Sequence, residues 1–168
     1  MFEMRGGEEL LETDPATATV DAHVVFVGRI ASPWKRREDC PKNMRIAREA
    51  RQKATVLVDD PFRPGLMGLD RATHVHILTW MHHAPRNLIV QKPRQASEAK
   101  GVFALRSPAR PNPVGLHSAR LLSLDIEAGR LELEAVDALD GTPVIDIKPY
   151  FPSVDALADA LMPDRGER

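Results

Sequence analysis

Short apolar runs, each ended by proline, glycine or acidic residues, constrain the fold of this chain more than any other feature. They cover residues 23–30, 54–58, 73–81, 102–105, 116–124 and 131–136. In the last run Leu131, Leu133 and Ala135 alternate with Glu132 and Glu134, which is the period of a strand with one buried face. Residues 127–130 have the composition of a hairpin turn. Because no strand–helix–strand rhythm is present, the pattern predicts a mainly β domain, either a barrel or a sandwich.

Helical signals are few. Ser153 is the expected N-cap of a C-terminal helix, with Val154, Leu157 and Leu161 as its apolar stripe. Residues 43–52 are basic on most sides, so they form either a short helix or an ordered loop. Residues 1–21 show no clear periodicity. The sequence thus predicts an acidic N-terminal arm over 1–21, a β domain over 22–152, and a short C-terminal helix and tail over 153–168.

Length and composition limit the class of protein. The chain has 168 residues and 43% hydrophobic residues, which fits one globular domain with a substantial core. No apolar run reaches the length of a membrane helix, and the acidic N-terminus does not resemble a secretory signal. The single cysteine, Cys40, cannot form an internal disulfide. We therefore expect a cytoplasmic protein with no membrane partner.

The net charge of −1 conceals two basic segments. Residues 29–53 contain nine basic and three acidic side chains, and residues 86–120 contain seven and one. Such segments can form a basic face that binds nucleic acid. They can equally be solvated surface charges paired with the acidic ends of the chain. Charge alone leaves both interpretations open.

The most unusual stretch contains three prolines within six residues, Pro108, Pro111 and Pro113. Each proline fixes φ and lacks a backbone donor, so this stretch is neither mid-helix nor mid-sheet. It is predicted to be a stiff, ordered loop. Such a loop would hold nearby polar side chains where they can bind a carboxylate, a phosphate or a base edge; the alternative is a connector whose arginines face solvent.

A second notable stretch begins with Asp140-Gly-Thr-Pro, which is turn chemistry and by itself indicates no more than a turn. In the residues that follow, Asp146 and Lys148 alternate with Ile145 and Ile147. This spacing predicts that Asp146 and Lys148 project from one face of a short strand, where they can pair.

Three motifs in order carry a family resemblance: Ile30-Ala-Ser-Pro, Arg106-Ser-Pro-x-Arg-Pro-Asn-Pro-x-Gly, and Asp140-Gly-Thr-Pro-x-x-Asp-Ile-Lys-Pro-Tyr. Over residues 24–152 the chain resembles the TrmO family, also called TsaA, YaeB or VirR-like, of S-adenosylmethionine-dependent tRNA methyltransferases. The resemblance implies a single β-barrel domain with few short helices and a homodimer with the cofactor site near its interface. It also implies N6-methylation of threonylcarbamoyladenosine beside the tRNA anticodon. The absence of a Gly-x-Gly-x-x-Gly motif after a strand agrees that a Rossmann-type cofactor site is not used.

The resemblance also assigns residues to roles. The cofactor contacts it implies are Pro41, Lys42, Asn43, His82, His83, Arg106, Leu116, Leu139, Asp140, Gly141, Thr142 and Pro143. The substrate contacts are Arg110, Asn112, Lys148 and Tyr150, and the catalytic candidates are Asp140, as a proton acceptor, and Asn112. In-line methyl transfer depends on positioning, so no metal is expected.

Other functions stay open at this point. A zinc cluster built from His74, His76, His82 and His83 is conceivable, but no cysteine or carboxylate stands at ligand spacing, which makes a metal hydrolase the third alternative. The second is a non-catalytic RNA-binding or regulatory module of the same fold. Some family members carry a second, C-terminal domain that helps to grip tRNA, whereas this chain ends at Arg168. Either a dimer surface built from the two basic segments replaces that grip, or the substrate of the methyltransferase is smaller than tRNA.

Overall fold

The computed structural model describes residues 4–18, 21–93 and 96–161. Its elements are short, and most are strands. The strands are β1 (Glu9–Leu10), β2 (Gly28–Ala31), β3 (Ala54–Val58), β4 (His74–Trp80), β5 (Leu88–Gln91), β6 (Lys100–Gly101), β7 (Val114–Asp125), β8 (Arg130–Leu133) and β9 (Pro143–Pro149). The helices are α1 (Met44–Glu49) and α2 (Pro152–Asp155), with 3-10 turns at Asp60–Leu66, Leu69–Arg71 and Val102–Ala104.

Six of the strands close into a barrel in the order β2-β3-β8-β7-β4-β9, and β9 pairs back onto β2. All neighbouring pairs are antiparallel. The mainly β prediction is therefore confirmed, and the choice between barrel and sandwich is resolved in favour of the barrel. Closure removes the free sheet edges that an open sheet of this size would expose.

The barrel interior is filled by alternate residues of the strands. Val56, Ile77, Leu131 and Val144 are completely buried there. Burial of an aliphatic side chain of this size contributes about 1.5–3 kcal/mol relative to exposure, so this interior supplies most of the stability of the domain. The alternation noticed around Leu131 in the sequence is the inward and outward alternation of β8.

The long strand β7 belongs to both halves of the barrel. Its first part pairs with β4, from Val114 opposite Trp80 to Arg120 opposite His74. Its second part pairs with β8, after a register shift between Leu121 and Ser123. A bulge of this kind bends a strand, which lets one strand turn the corner of a closed barrel. The turn between β7 and β8 ends at Gly129, whose positive φ of 64° agrees with the hairpin turn predicted at residues 127–130.

A second, smaller sheet of order β1-β5-β6 was not predicted. Its edge strand β1 lies within residues 1–21, so part of the expected loose arm is ordered. The buried side chain of Glu8 anchors this part, because its carboxylate accepts a hydrogen bond from the backbone N–H of Lys92 at 3.0 Å and pairs with Arg5.

Three predicted strands differ from the structure. The run over 23–30 becomes a strand only at Gly28, because Val27 is the first residue bonded to β9 and Val24 and Val25 stay exposed. Residues 102–104 form a 3-10 turn closed by the bond from Leu105 N–H to the carbonyl of Val102. The run over 131–136 leaves the ladder after Leu133.

The two helical segments also differ from each other. At 43–52 the helix is formed, and the side chain of Asn43 caps it by accepting from the N–H of Ile46 at 3.0 Å. The predicted helix from Ser153 is wrong in both start and length: Phe151 is the N-cap, Pro152 opens the helix, and it ends at Asp155. Proline suits the first helical position, and an exposed apolar stripe gives no packing to extend a single turn.

Strand direction places the long connections at one end of the barrel. Strands β2, β4 and β8 run towards this end and β3, β7 and β9 start from it, as the antiparallel pairings require. We call it the mouth and define it by the connections 32–53, 81–113 and 134–142. The far end carries the connections 59–73 and 126–129. Across the residues that the structure describes, no helix has the length and apolar character that crossing a bilayer requires.

Substitution of Gly28 tests the packing of β2 on β3. A Cβ at Gly28 would lie 2.1 Å from the carbonyl oxygen of Leu57, a backbone atom that cannot move aside without breaking the ladder. We expect Gly28→Ala to lower the free energy of unfolding by about 1–3 kcal/mol, measured by urea titration. Gly65→Ala is the matched control, since nothing lies within 4 Å of its Cβ position, and it should change stability by less than about 0.5 kcal/mol. Equal effects at the two glycines would contradict this packing.

Candidate active site

The turn at 139–143 is fastened to the end of β2 by backbone hydrogen bonds. The N–H of Gly141 donates to the carbonyl of Ile30 at 2.8 Å, and the N–H of Ile30 donates to the carbonyl of Thr142 at 2.8 Å. The N–H of Asp140 donates to the carbonyl of Trp34 at 2.9 Å. Gly141 has a positive φ of 77°, which a side chain would strain. The turn therefore has a fixed position at the mouth.

The Asp140 carboxylate strengthens the same junction. One oxygen accepts from the N–H of Ser32 at 3.0 Å and the other lies 2.6 Å from the Lys35 ammonium. The hydrogen bond from Lys35, followed by that from Ser32, lowers the pKa of Asp140 despite its partial burial. A carboxylate held ionised in this way orients the turn well, but it is a weak proton acceptor. The catalytic role of Asp140 stays a prediction.

Two further side chains, absent from the residue assignments of the sequence analysis, join the segment after β2 to the connection 134–142. The Ser32 hydroxyl donates to the carbonyl of Ala138 at 2.9 Å. The Trp34 indole N–H donates to the carbonyl of Val136 at 2.9 Å. The motif Ile30-Ala-Ser-Pro contained the signal for Ser32, because a serine just after a strand commonly bonds to backbone. Nothing local indicated the partner of Trp34.

Arg106 and Leu116, both expected to contact the cofactor, are brought together. An Arg106 guanidinium nitrogen (Nη2) donates to the carbonyl of Leu116 at 3.1 Å. The Leu116 side chain is 46% exposed and points out of the barrel, next to Leu78 of β4. This part of the site consequently lies on the outer wall of the barrel beside the mouth.

His82 and His83 lie on the same side, just after β4. Their ring centroids are 3.8 Å apart. The neighbouring N–H of Met81 donates to the carbonyl of Pro113 at 2.8 Å, which ties this corner to the proline loop. Desolvation and then the charge of His83 lower the pKa of His82, which favours the neutral form of this imidazole.

The proline loop is ordered, as predicted, and its own side chains hold it. Arg110 donates to the backbone carbonyls of Val102, Leu105 and Ser107. Arg110 thus serves the loop itself, and its assignment to the substrate stays a prediction. Asn112 is exposed and accepts a long hydrogen bond of 3.4 Å from Arg86.

Arg86 connects this loop to the end of β4. Its Nε donates to the carbonyl of Pro111 at 2.7 Å, and its guanidinium carbon lies 5.4 Å from the ring centroid of Trp80. The sequence analysis gave Arg86 no role beyond its charge. Its contacts with backbone and an aromatic face indicate that it orders the mouth.

The remaining assigned residues divide between the two ends of the barrel. Pro41, Lys42 and Asn43 lie on the mouth connection that leads into α1. Lys148 and Tyr150 do not join them, because the length of β9, roughly 20 Å at 3.3 Å per residue, separates them from the turn. Lys148 pairs with Asp146 at 2.7 Å, as the strand spacing predicted, and its substrate role stays a prediction.

Among the residues that the structure describes, the histidines are not grouped with other metal-binding side chains. His74 and His76 share an outer face of β4 and stack against Tyr150 at 6.3 and 5.3 Å. Within the described ranges no three His, Cys, Asp or Glu side chains are grouped so that they could hold a metal ion. Burial, together with the charge of Asp137, raises the pKa of Cys40 to about 11, which makes it an unreactive thiol.

Replacement of Asp140 gives a pH-dependent test of the turn. The folded pKa is lowered, so the ion pair stabilises the fold above the unfolded value of about 3.9, and this contribution is lost as pH falls through the folded pKa. Because the carboxylate is 37% exposed, we expect Asp140→Asn to cost less than about 1 kcal/mol at pH 7. The difference from wild type, measured by urea unfolding, should stay constant down to about pH 5 and shrink below about pH 4. Lys35→Met should remove the same pH-dependent part; a difference that persists unchanged to pH 3 would contradict the assignment.

Comparison with known proteins places these features in a family. The family model described as tRNA-methyltransferase O N-terminal domain matches residues 29–156. A probable S-adenosyl-L-methionine-binding protein of Methanothermobacter thermautotrophicus is 41% identical over 132 residues, which cover 78% of this chain and 91% of the relative. The tRNA (adenine(37)-N6)-methyltransferase of Mus musculus is 46% identical over 94 residues, which cover 54% of this chain and 21% of the mouse protein.

Solved structures agree in fold. The crystal structure of TrmO from Pseudomonas aeruginosa matches with a TM-score of 0.68 and 37% identity, over 84% of this chain and 61% of that one. Another TrmO crystal structure matches with a TM-score of 0.70 and 36% identity, over 86% and 64% of the two chains. The chain therefore spans less than two thirds of the length of these structures. The resemblance seen in the motifs is confirmed: the family model covers most of the barrel, and the chain belongs to the tRNA-methyltransferase O N-terminal domain family.

Proposed function

We propose that this protein is an S-adenosylmethionine-dependent methyltransferase that methylates N6 of an adenosine beside the tRNA anticodon, in its threonylcarbamoyl form. One observation carries the proposal. Every residue that the family resemblance assigns to the cofactor lies on a mouth connection or on the first residues of a strand that follows one. The name of the archaeal relative supports S-adenosylmethionine as the cofactor, and the name of the mouse relative supports a tRNA adenine as the substrate.

The turn at the mouth fits an adenine edge. Its fixed backbone leaves the N–H of Leu139 and the carbonyls of Asp140 and Gly141 without hydrogen-bond partners among the described residues. An adenine edge presents an amino donor beside ring-nitrogen acceptors, so one N–H and one carbonyl are what it needs. A Cβ at Gly141 would meet nothing within 4 Å, which shows that this side of the turn is open.

Arg106 fits the carboxylate of the cofactor. Only Nη2 of its guanidinium is bonded within the described chain, to the carbonyl of Leu116, so Nη1 and Nε are free to donate. The second hydrogen of Nη2 is also free, and together with its neighbour on Nε or Nη1 it presents the parallel pair of donors that a carboxylate accepts in bidentate geometry. Leu116 would then pack against the adjoining apolar part of the ligand.

Methyl transfer from sulfur to nitrogen places most demands on positioning. When bound, S-adenosylmethionine supplies the electrophilic methyl group, with no metal required. The contribution of the protein is to hold the nucleophilic nitrogen in line with the bond that breaks. Asp140 orients the turn, and its lowered pKa makes it a weak proton acceptor.

The distribution of charge supports an RNA substrate. Both basic segments noted in the sequence lie largely on mouth connections. Several of their side chains are neutralised, as in the pairs Arg48–Glu134 and Lys53–Glu132. Arg37, Lys42 and Arg51 have no acidic partner in the described part of the chain, so they are available to phosphates near the site. Binding through such contacts weakens as salt increases.

A homodimer is part of the proposal. Phe103, Val114 and Leu116 are exposed apolar side chains beside the site, with exposed fractions of 81%, 38% and 46%. A second copy covering this wall would bury them and would enclose the cofactor from one side. We also propose a cytoplasmic location, since tRNA is modified there.

Arg106→Ala tests the proposed cofactor site. Loss of a charge-assisted hydrogen bond should raise the Kd for S-adenosylmethionine, measured by calorimetry, about tenfold or more. Arg71→Ala is the matched control, because Arg71 is also an exposed arginine but lies on the far-end connection 59–73. Its Kd should stay within about twofold of wild type.

The reaction itself is tested with the same proteins. Purified protein and S-adenosylmethionine are incubated with tRNA that carries threonylcarbamoyladenosine, and the nucleosides are analysed by mass spectrometry. The proposal predicts one added methyl group on that nucleoside, reduced in Arg106→Ala and retained in Arg71→Ala. Tight cofactor binding without methylation would move the substrate to a smaller molecule. RNA binding indifferent to the cofactor would favour the non-catalytic module.

A further inference from the structure

A hydrogen-bonded chain of polar side chains runs from the buried interior of the barrel to the mouth. Asp137 Oδ1 lies 2.6 Å from His117 Nδ1, and His117 Nε2 lies 2.9 Å from the Thr79 hydroxyl. Thr79 is completely buried and His117 is 3% exposed. Polar groups buried without partners would destabilise the fold, so this chain holds together only as a fully bonded unit.

The hydrogen-bonded chain leaves no room for a side chain at Gly115. It pairs with Thr79 across the β4–β7 ladder. A Cβ at Gly115 would lie 2.4 Å from the Thr79 hydroxyl oxygen, 2.9 Å from His117 Nε2 and 3.1 Å from Met81 Sδ. Gly115, which ends the proline motif, therefore has no side chain because Thr79, His117 and Met81 occupy the position where a Cβ would lie.

The chain of contacts reaches all three mouth connections. Thr79 lies two residues before Met81, where the connection 81–113 begins, and its hydroxyl is 3.4 Å from Met81 Sδ. His117 follows Leu116 on β7. Asp137 lies on the connection 134–142, three residues before Asp140. The residues on either side of Asp137 contact the connection 32–53, because the carbonyls of Val136 and Ala138 accept hydrogen bonds from the side chains of Trp34 and Ser32 at 2.9 Å.

We propose that Asp137, His117 and Thr79 form a positioning unit that holds the three mouth connections in the arrangement the cofactor requires. The inference rests on the proposed function of the mouth and adds residues that no family motif assigned. His117 is too buried to touch a substrate, so it acts through its neighbours: Thr79 sets the corner of Met81 and His82, and Asp137 sets the approach to the turn at 139–143. Residues that pre-order a site in this way lower the entropy lost on binding.

Thr79→Val removes the hydroxyl while keeping the shape of the side chain, and Thr79→Ser restores the hydroxyl. We expect Thr79→Val to raise the Kd for S-adenosylhomocysteine, measured by calorimetry, about tenfold, and Thr79→Ser to return it to within about threefold of wild type. Val75→Ala is the control for stability alone, since Val75 is buried in the same strand at the far end. It should lower Tm at least as much as Thr79→Val and leave the Kd unchanged.

Amide hydrogen exchange in the absence of ligand separates this inference from the proposed function. The N–H groups of Met81 and Gly141, which bond to Pro113 and Ile30, should exchange about tenfold faster in Thr79→Val but not in Val75→Ala. Unchanged exchange at both amides in Thr79→Val would overturn the positioning unit, whatever the cofactor does. Faster exchange with a wild-type Kd would overturn its role in binding. If the wild-type protein binds no cofactor, the proposed function fails and this role fails with it, while faster exchange would still show that the unit orders the mouth.

Discussion

The junction between the turn at 139–143 and the end of β2 is the interaction on which the rest of the structure depends. Strand β9 meets β2 over only two register pairs, Gly28 with Val144 and Arg29 with Pro143. Five further hydrogen bonds extend this short seam: two of the Ile30 backbone, one to the Trp34 carbonyl, one from the Ser32 hydroxyl and one to the Asp140 carboxylate. The same hydrogen bonds that close the barrel therefore fix the turn we assign to the adenine.

Because the hydrogen bonds that close the barrel also fix the turn, the candidate site needs no helix N-terminus or glycine-rich phosphate loop. Antiparallel closure brings three long connections to one end, and side chain to backbone hydrogen bonds fix the parts of them next to the barrel strands. Arg110 and Arg86 order the proline loop, while Ser32 and Trp34 order the approach to the turn. A ligand at the mouth would meet backbone groups whose positions are set before it binds, which limits the ordering cost.

Local patterns predicted local structure well. An apolar run predicted β3, alternation predicted β8, proline spacing predicted an ordered loop, and strand period placed Asp146 beside Lys148. They failed where the outcome depends on distant partners. Val24 and Val25 have strand propensity but lack a ladder partner, and the stripe of Val154 and Leu157 has no surface within the described chain to pack against.

The candidate site divides in the same way. Motif resemblance selected the residues around Asp140 and Arg106, and the fold brings their segments to one end. The link between His117 and Asp137, and that between Thr79 and His117, cross 20 and 38 residues of sequence respectively. No period or motif signals such a link, because it exists only once β4 and β7 pair and the barrel closes. Tyr150 is the opposite case: it belongs to the same sequence motif as Asp140, but β9 carries it to the far end of the barrel.

The central claim is that the cofactor binds at the mouth. Titration of the labelled protein with S-adenosylhomocysteine, followed by amide NMR shifts, tests it directly. The account predicts that the largest shifts fall on residues 30–43, 81–83, 105–116 and 139–143. Shifts concentrated instead on the far-end connections, 59–73 and 126–129, would contradict it.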